Sequence, residues 1–216
     1  MRQRVLVTGA LGQLAGAIAT VFGRDSDVTA LARTALDITD DRAVNDAVAV
    51  HRPDLVVNCA AYNDVDGAET DPVAALEVNA FAVRSLARAT AAAGATLVHY
   101  SSDFVFDGTA SRPYTEDDRP NPQGVYAASK LLGEWFALES GKALVLRVES
   151  LFGAAGRKGS LASLVAGIEA GREVPVFVDR TVSPSYVFDV AGATHALVAS
   201  ATASGLYHCV NAGSCS

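Results

Sequence analysis

The sequence predicts an α/β fold built on a doubly wound parallel sheet, and three observations carry that expectation. Short apolar runs rich in Val and Leu alternate with longer segments of helical period. The runs are nearly continuous in apolar residues, as suits strands covered on both faces. Glycines spaced G-x-x-G stand between the first run and the first helical segment.

In order, residues 5–8 read as a strand, 12–22 as a helix, 27–31 as a strand and 40–51 as a helix. A strand at 55–60, a long helix at 72–92 and a strand at 96–101 follow, then a helix at 125–139 and a strand at 143–148. Pro72 sits in a first helical turn, where its missing N–H costs nothing. Gly94 is a natural stop after the Ala-rich run before it. Beyond Val148 the rhythm loosens. Residues 150–160, with Arg157-Lys158, read as a loop, followed by a helix at 161–170 and a strand at 173–178. A turn at Ser183-Pro184-Ser185, a helix near 189–200 and a strand at 206–210 complete the chain.

Composition excludes several function classes. The 216 residues carry 17 Lys+Arg against 24 Asp+Glu, a formal net charge of −7, so neither nucleic acid nor an anionic membrane is an expected partner. Half the residues are hydrophobic and the mean hydropathy is +0.24, which supplies a core and excludes a disordered chain. Cys59, Cys209 and Cys215 have no CxxC spacing, and an odd number suits a reducing compartment. The apolar run behind Met1-Arg2-Gln3-Arg4 is shorter than the roughly 7–15 residues a signal peptide needs. A soluble, cytoplasmic protein is expected.

The segment Val7-Thr8-Gly9-Ala10-Leu11-Gly12-Gln13-Leu14-Ala15 places a glycine turn between a strand and a helix. Gly9 permits the tight turn, and Gly12 lets a pyrophosphate approach the backbone. Amides of Gln13 and Leu14 then meet the anion at the positive end of the helix dipole. Ala15 takes the third glycine position, which serves helix–strand packing. A Rossmann-type dinucleotide-binding domain over residues 1–149 is the expectation, with a small, shortened substrate-binding lobe over 150–216.

The second strand ends Ala30-Leu31-Ala32-Arg33-Thr34, with Arg33 where an acid would hold a ribose 2′-OH. Two readings stand: a solvated surface Arg, or a clamp for the 2′-phosphate of NADPH. The second favours NADPH over NADH, with Asp37-Ile38 flanking the adenine.

Tyr126-Ala127-Ala128-Ser129-Lys130 puts a phenol and an ammonium on one helical face. A nearby Lys⁺ is expected to lower the Tyr pKa from near ~10 and to hold ribose hydroxyls. The run Tyr100-Ser101-Ser102-Asp103 delivers hydroxyls and a carboxylate at a strand's carboxyl end, the side on which such sheets bind ligands. His51, His99, His195 and His208 lack metal-ligand spacing, so no metal is expected.

Taken together, these residues resemble the extended short-chain dehydrogenase/reductases, and within them the dTDP-4-dehydrorhamnose reductase family. The similarity runs through Val7 to Leu14, Leu36-Asp37-Ile38-Thr39, Val57-Asn58-Cys59-Ala60-Ala61-Tyr62 and Val65-Asp66-Gly67-Ala68-Glu69. It continues through Ser102-Asp103-Phe104-Val105-Phe106-Asp107-Gly108-Thr109, Pro113-Tyr114-Thr115-Glu116, Tyr126 to Lys130 and Gly133-Glu134. The resemblance implies hydride transfer to the C4 ketone of a dTDP-4-keto-6-deoxy-L-sugar. Tyr126 would protonate the alkoxide, Lys130 would tune it, and Ser102, where the family usually has Thr, would hydrogen-bond the ketone. It implies cofactor contacts from Gly9, Leu11, Gly12, Gln13, Leu14, Arg33, Asp37, Ile38, Cys59, Ala60, Ala61, Tyr62, Tyr100, Tyr126 and Lys130. Ser102, Asp103 and Ser150 would meet the nucleotide-sugar substrate. A homodimer through the helices at 72–92 and 125–139 is expected from many relatives.

Three departures stand out. Ser150 occupies the place of a Trp that often packs on the sugar, and Phe104 replaces a Tyr. The family's pattern also continues past Asn211–Ser216 with a further helix and more substrate lobe. Alternatives are another sugar-nucleotide epimerase or oxidoreductase, and a non-catalytic subunit resembling the methionine adenosyltransferase β-subunit. A dehydratase would carry a Glu directly after Asp103; Phe104 stands there, which favours simple reduction.

Overall fold

In a computed structural model, residues 2–153, 160–176 and 178–216 are described. Six parallel strands form the main sheet: β1 (Arg4–Thr8), β2 (Asp27–Leu31), β3 (Leu55–Asn58), β4 (Thr96–Ser102), β5 (Ala143–Val148) and β8 (Gly205–His208). Their spatial order is β2-β1-β3-β4-β5-β8. The helices are α1 (Gln13–Phe22), α2 (Asp41–His51), α3 (Val65–Thr70), α4 (Pro72–Leu76), α5 (Ala82–Ala92), α6 (Val125–Glu139), α7 (Ser160–Glu169) and α8 (Val187–Ala199). A second, two-stranded parallel sheet pairs β6 (Leu151–Phe152) with β7 (Ser185–Tyr186).

Alternation along the strands divides the core. Val5, Val7, Leu55, Val57 and Val98 face one layer, where they bury Ala15, Ile18 and Phe22 of α1 with Val187, Val190 and Ala191 of α8. Leu6, Val56, Leu97 and Val145 face the other, against Val44 and Val48 of α2, Val83 and Leu86 of α5 and Ala137 of α6. Each fully buried side chain of this kind contributes about 1.5–3 kcal/mol, and Phe22, Leu6, Ile18 and Leu86 are among the largest so buried.

The helix expected at 72–92 is interrupted. A π turn, Glu77–Phe81, separates α4 from α5. The strand expected at 173–178 does not form among its described residues; Pro175 lacks the N–H for a ladder, and β6 pairs with β7 instead. Residues 154–159, including Arg157-Lys158, and Phe177 lie outside the described residues.

The boundary expected at 149/150 cuts through the sheet layer. β8 pairs with β5 in register Leu144↔Gly205 to Arg147↔His208, and α8 shares the core of α1. Residues 187–208 therefore complete the first body, because β8 fills the edge of β5 from Leu144 to Arg147 and α8 covers α1.

Candidate active site

The strand order reverses direction at β1, and the crevice beyond the carboxyl ends of β1 and β3 is where an open α/β sheet receives ligand. Beyond β1 the chain turns through Gly9 at φ +70. A Cβ there would stand 2.8 Å from the Ala60 amide nitrogen, so only glycine lets this turn touch the loop after β3. The Gly12 N–H closes the turn on the Gly9 carbonyl at 2.8 Å.

The N-terminus of α1 is bare. Gly12 caps it without a side chain, and its first turn has no acid. By contrast Asp40, Asp64 and Asp71 accept amide hydrogens at the starts of α2, α3 and α4. The α1 amides thus face outward for an external anion. Gln13 donates from Nε2 to the Leu151 carbonyl at 3.1 Å, while its Oε1 is buried without a partner among the described residues. Leu14 enters the core and Leu11 is exposed. This bare helix end, with no Cβ on Gly9 or Gly12, fits the pyrophosphate of a dinucleotide.

Beyond β2, Arg33 is 82% exposed and its Nε donates to Asp37 Oδ2 at 3.1 Å. The Thr39 hydroxyl and amide, then Arg33, hold the Asp37 carboxyl below its ordinary range. Ile38 is buried beside them. The two readings of Arg33 thus share one geometry, an exposed guanidinium already leaning on a carboxylate.

The loop after β3 is held by Asn79 and Asn58, two residues to which the sequence assigned no role. Asn79, in the π turn, accepts from the Tyr62 amide at 2.9 Å and donates to its carbonyl at 3.0 Å. The same Asn79 amide donates to Ser129 Oγ on α6 at 3.0 Å. A polar row crosses the sheet beneath: Thr8 donates to Asn58 Oδ1 at 2.6 Å, and Asn58 meets His99 Nδ1 at 3.2 Å. Asn58 also receives the Ala60 amide at 3.2 Å. Ala61 continues this loop, and Cys59 is partly buried with its thiol pushed up by burial. An isolated polar residue within an apolar strand or helix was the available signal for Asn58 and Asn79.

Ser102, Tyr126 and Lys130 come together at the carboxyl end of β4. Burial pushes the Tyr126 phenol up to about 12, opposed by its hydrogen-bonding interaction with Ser102 and reinforced by Asp103. The expected lowering by Lys130 is therefore corrected: burial dominates, and the Lys130 Nζ is directed at the Tyr100 carbonyl, 2.7 Å away. Burial lowers Lys130 to about 8, with Glu134 opposing. Ser102 donates to Asp103 Oδ1 at 2.9 Å and accepts from the Phe104 amide at 3.2 Å. The Phe104 ring stands edge-on to Tyr126, centroids 5.6 Å apart.

Two expected residues are placed differently. The Tyr100 side chain turns into the α1/α8 layer, where its hydroxyl pairs with Thr194 Oγ1 at 2.7 Å, so only its carbonyl reaches the site. Ser150 is exposed at φ +44, a left-handed bend after β5 whose carbonyl receives the Ser185 amide. Behind the site, Arg147 grips Glu134 at 2.8 and 2.7 Å, both side chains buried. Among the described residues no group of His, Cys, Asp and Glu forms a metal site.

This geometry coincides with a match of residues 3–216 to the family described as RmlD substrate binding domain. The chain belongs to the RmlD substrate binding domain family. Its relatives include the dTDP-4-dehydrorhamnose reductase of Streptomyces griseus, 41% identical over 98% of this chain and 72% of that protein. Another, from Mycobacterium tuberculosis, bears the same name and is 40% identical over 98% of this chain and 71% of its own length. Among solved structures, the Bacillus anthracis dTDP-4-dehydrorhamnose reductase in complex with NADP superposes with a TM-score of 0.95. It is 34% identical and covers 100% of this chain and 77% of its own. In this RmlD-family chain, the six-stranded sheet, the glycine turn and the Ser102–Tyr126–Lys130 cluster occupy the matched region.

Proposed function

We propose that this chain is an oxidoreductase that reduces the C4 ketone of a dTDP-4-keto-6-deoxy-L-sugar, using NADPH in preference to NADH. The observation that carries this reading is the convergence of Ser102, Tyr126 and Lys130 beside a bare α1 N-terminus. Relatives named dTDP-4-dehydrorhamnose reductase support the substrate, and the NADP in the Bacillus anthracis structure supports the cofactor.

The glycine turn and the first amides of α1 hold the pyrophosphate, Arg33 takes the 2′-phosphate, and Asp37-Ile38 border the adenine. The loop from Cys59 to Tyr62 lines the cofactor, and Lys130 takes the ribose hydroxyls. When bound, NADPH supplies the hydride. Tyr126, protonated at neutral pH because burial raises its pKa, gives its proton to the forming alkoxide. The Ser102 hydroxyl supplies a second hydrogen bond to that oxygen as its charge grows. Phe104 shields the Tyr126 ring on one side.

Asp103 and Ser150 border the sugar, and the described residues of β6, α7 and β7 form the substrate side. A cytoplasmic location accords with this chemistry; no described helix is long and apolar enough to cross a membrane. A second copy of the chain is assigned to the outer face of α4, α5 and α6. There Val73 and Trp135 are exposed at 61% and 56%, and Arg84 lies over the Phe81 and Phe136 rings. A concentration-independent monomer in sedimentation overturns that pairing.

The deciding experiment is the oxidation of NADPH in the presence of dTDP-4-keto-6-deoxy-sugars. Turnover that requires both supports the reading. Absence of turnover, with co-purification of a methionine adenosyltransferase, would instead make the chain a regulatory subunit.

A further inference from the structure

The register of β4 on β5 ends at Ser102↔Val148, so the next residues, Asp103 and Glu149, leave neighbouring strands side by side. Adjacent strands lie roughly 4.8 Å apart, which brings the two carboxylates to one end of the crevice. Asp103 Oδ1 takes the Ser102 hydroxyl at 2.9 Å, with the backbone amides of Asp103 and Phe104 also turned toward the carboxylate, and Glu149 Oε2 takes the Ser183 amide at 2.9 Å.

The Ser102 hydroxyl has a single hydrogen to give. While Asp103 is ionised that hydrogen points at Asp103 and is withheld from a ketone. A protonated Asp103 reverses the bond: the carboxyl donates, Ser102 accepts from it and from the Phe104 amide, and the serine hydrogen is released.

Resting on the reductase reading above, we propose that Asp103 and Glu149 share one proton, and that this proton turns Ser102 toward the substrate ketone. Glu149 acts here as a positioning residue; it reaches the reacting atoms only through Asp103 and Ser102. Among the described residues, the charged and titratable groups around the pair are Arg180, from the segment before β7, and Tyr126, from α6. Arg180 favours an ionised Asp103. Burial raises Asp103 against the opposing Ser102 hydroxyl, the Asp103 and Phe104 amides and Arg180; burial, opposed by the Ser183 amide and reinforced by Asp103, raises Glu149.

The test uses the full chain carrying carboxyl-carbon labels on Asp and Glu, titrated by NMR, beside the pH profile of kcat for wild type and Glu149→Gln. The glutamine retains an oxygen for the Ser183 amide but removes the second acid. The expected result is that Asp103 and Glu149 titrate as a coupled pair above the ordinary carboxylate range. In wild type kcat then falls as pH rises through that range. In Glu149→Gln the Asp103 carboxyl titrates at lower pH, the descending limb moves down with it, and kcat at neutral pH drops by roughly tenfold, the worth of one hydrogen bond. An Asp103 that titrates as an ordinary, isolated carboxyl in wild type overturns the proposal, as does a limb unmoved by Glu149→Gln. Failure of the reductase reading is distinct: wild type then turns over no keto-sugar at any pH, and the carboxyl titration still decides the pair.

Discussion

The Lys130 ammonium donates to the Tyr100 carbonyl at 2.7 Å, fastening α6 to β4 from within the buried site. The bond fixes where the charge stands, and burial weakens that charge.

Because Lys130 is lowered to about 8, it is an ammonium below that pH and loses its proton as pH rises through it. NADPH affinity should therefore decline across pH 8, and in Lys130→Met it should be weaker and flat. Dissociation constants between pH 6.5 and 9.5, roughly 1.5 units either side of the transition, check this. The same depression makes folding stability rise between about 8 and 10.5, where only the unfolded chain still holds the proton.

Tyr126→Phe removes a hydroxyl and keeps the ring against Phe104. Folding and NADPH binding should survive while kcat drops by roughly 10²–10⁴-fold. Wild-type turnover in this variant would remove the proton-donor role.

Gly9→Ala meets both a left-handed backbone and the Ala60 amide 2.8 Å away. A loss of about 1–3 kcal/mol in stability is expected, along with weakened cofactor binding. Urea unfolding and NADPH titration of the same preparation measure the two effects.

Arg33→Ala should weaken NADPH by roughly tenfold, about 1.4 kcal/mol, and leave NADH almost unchanged. Both affinities must be measured at one salt concentration, since the guanidinium is exposed and screened. Equal losses for the two cofactors would leave Arg33 a surface residue.

Glu134→Ala would strand the Arg147 guanidinium, which is buried and stacked 4.8 Å over Phe106. Breaking such a pair costs about 3–5 kcal/mol. The variant should unfold at markedly lower denaturant than wild type.

Much of the sheet was legible in the chain because its strands are continuous apolar runs: 27–31 and 143–148 coincide with β2 and β5, and 125–139 with α6. The π turn was not, since one extra residue in a helical turn displaces the apolar stripe without any breaker residue to mark it; it shows in the backbone, where the Ala82 amide reaches the Glu77 carbonyl five residues back. β6 and β7 have two residues each, too few for any period. Tyr126 and Lys130 were readable from their spacing, but burial is a property of the packed site, and it reversed the expected direction for the phenol. Glu149 was given no role from the chain, since its neighbourhood to Asp103 comes from strand adjacency and not from sequence spacing.

The cover that α8 lays over α1 sets an order of assembly. His195 stands edge-on to Phe22, centroids 4.9 Å apart, and meets Asp25 at 2.9 Å, joining chain positions 170 residues apart. As the polypeptide leaves the ribosome, the oily side of β1 and α1 must wait for the arrival of α8. Contacts this remote slow folding, and the waiting surface is open to other chains. Synthesis paused before residue 187 should therefore leave a nascent chain that needs a chaperone, even though five of the six sheet strands have already been made.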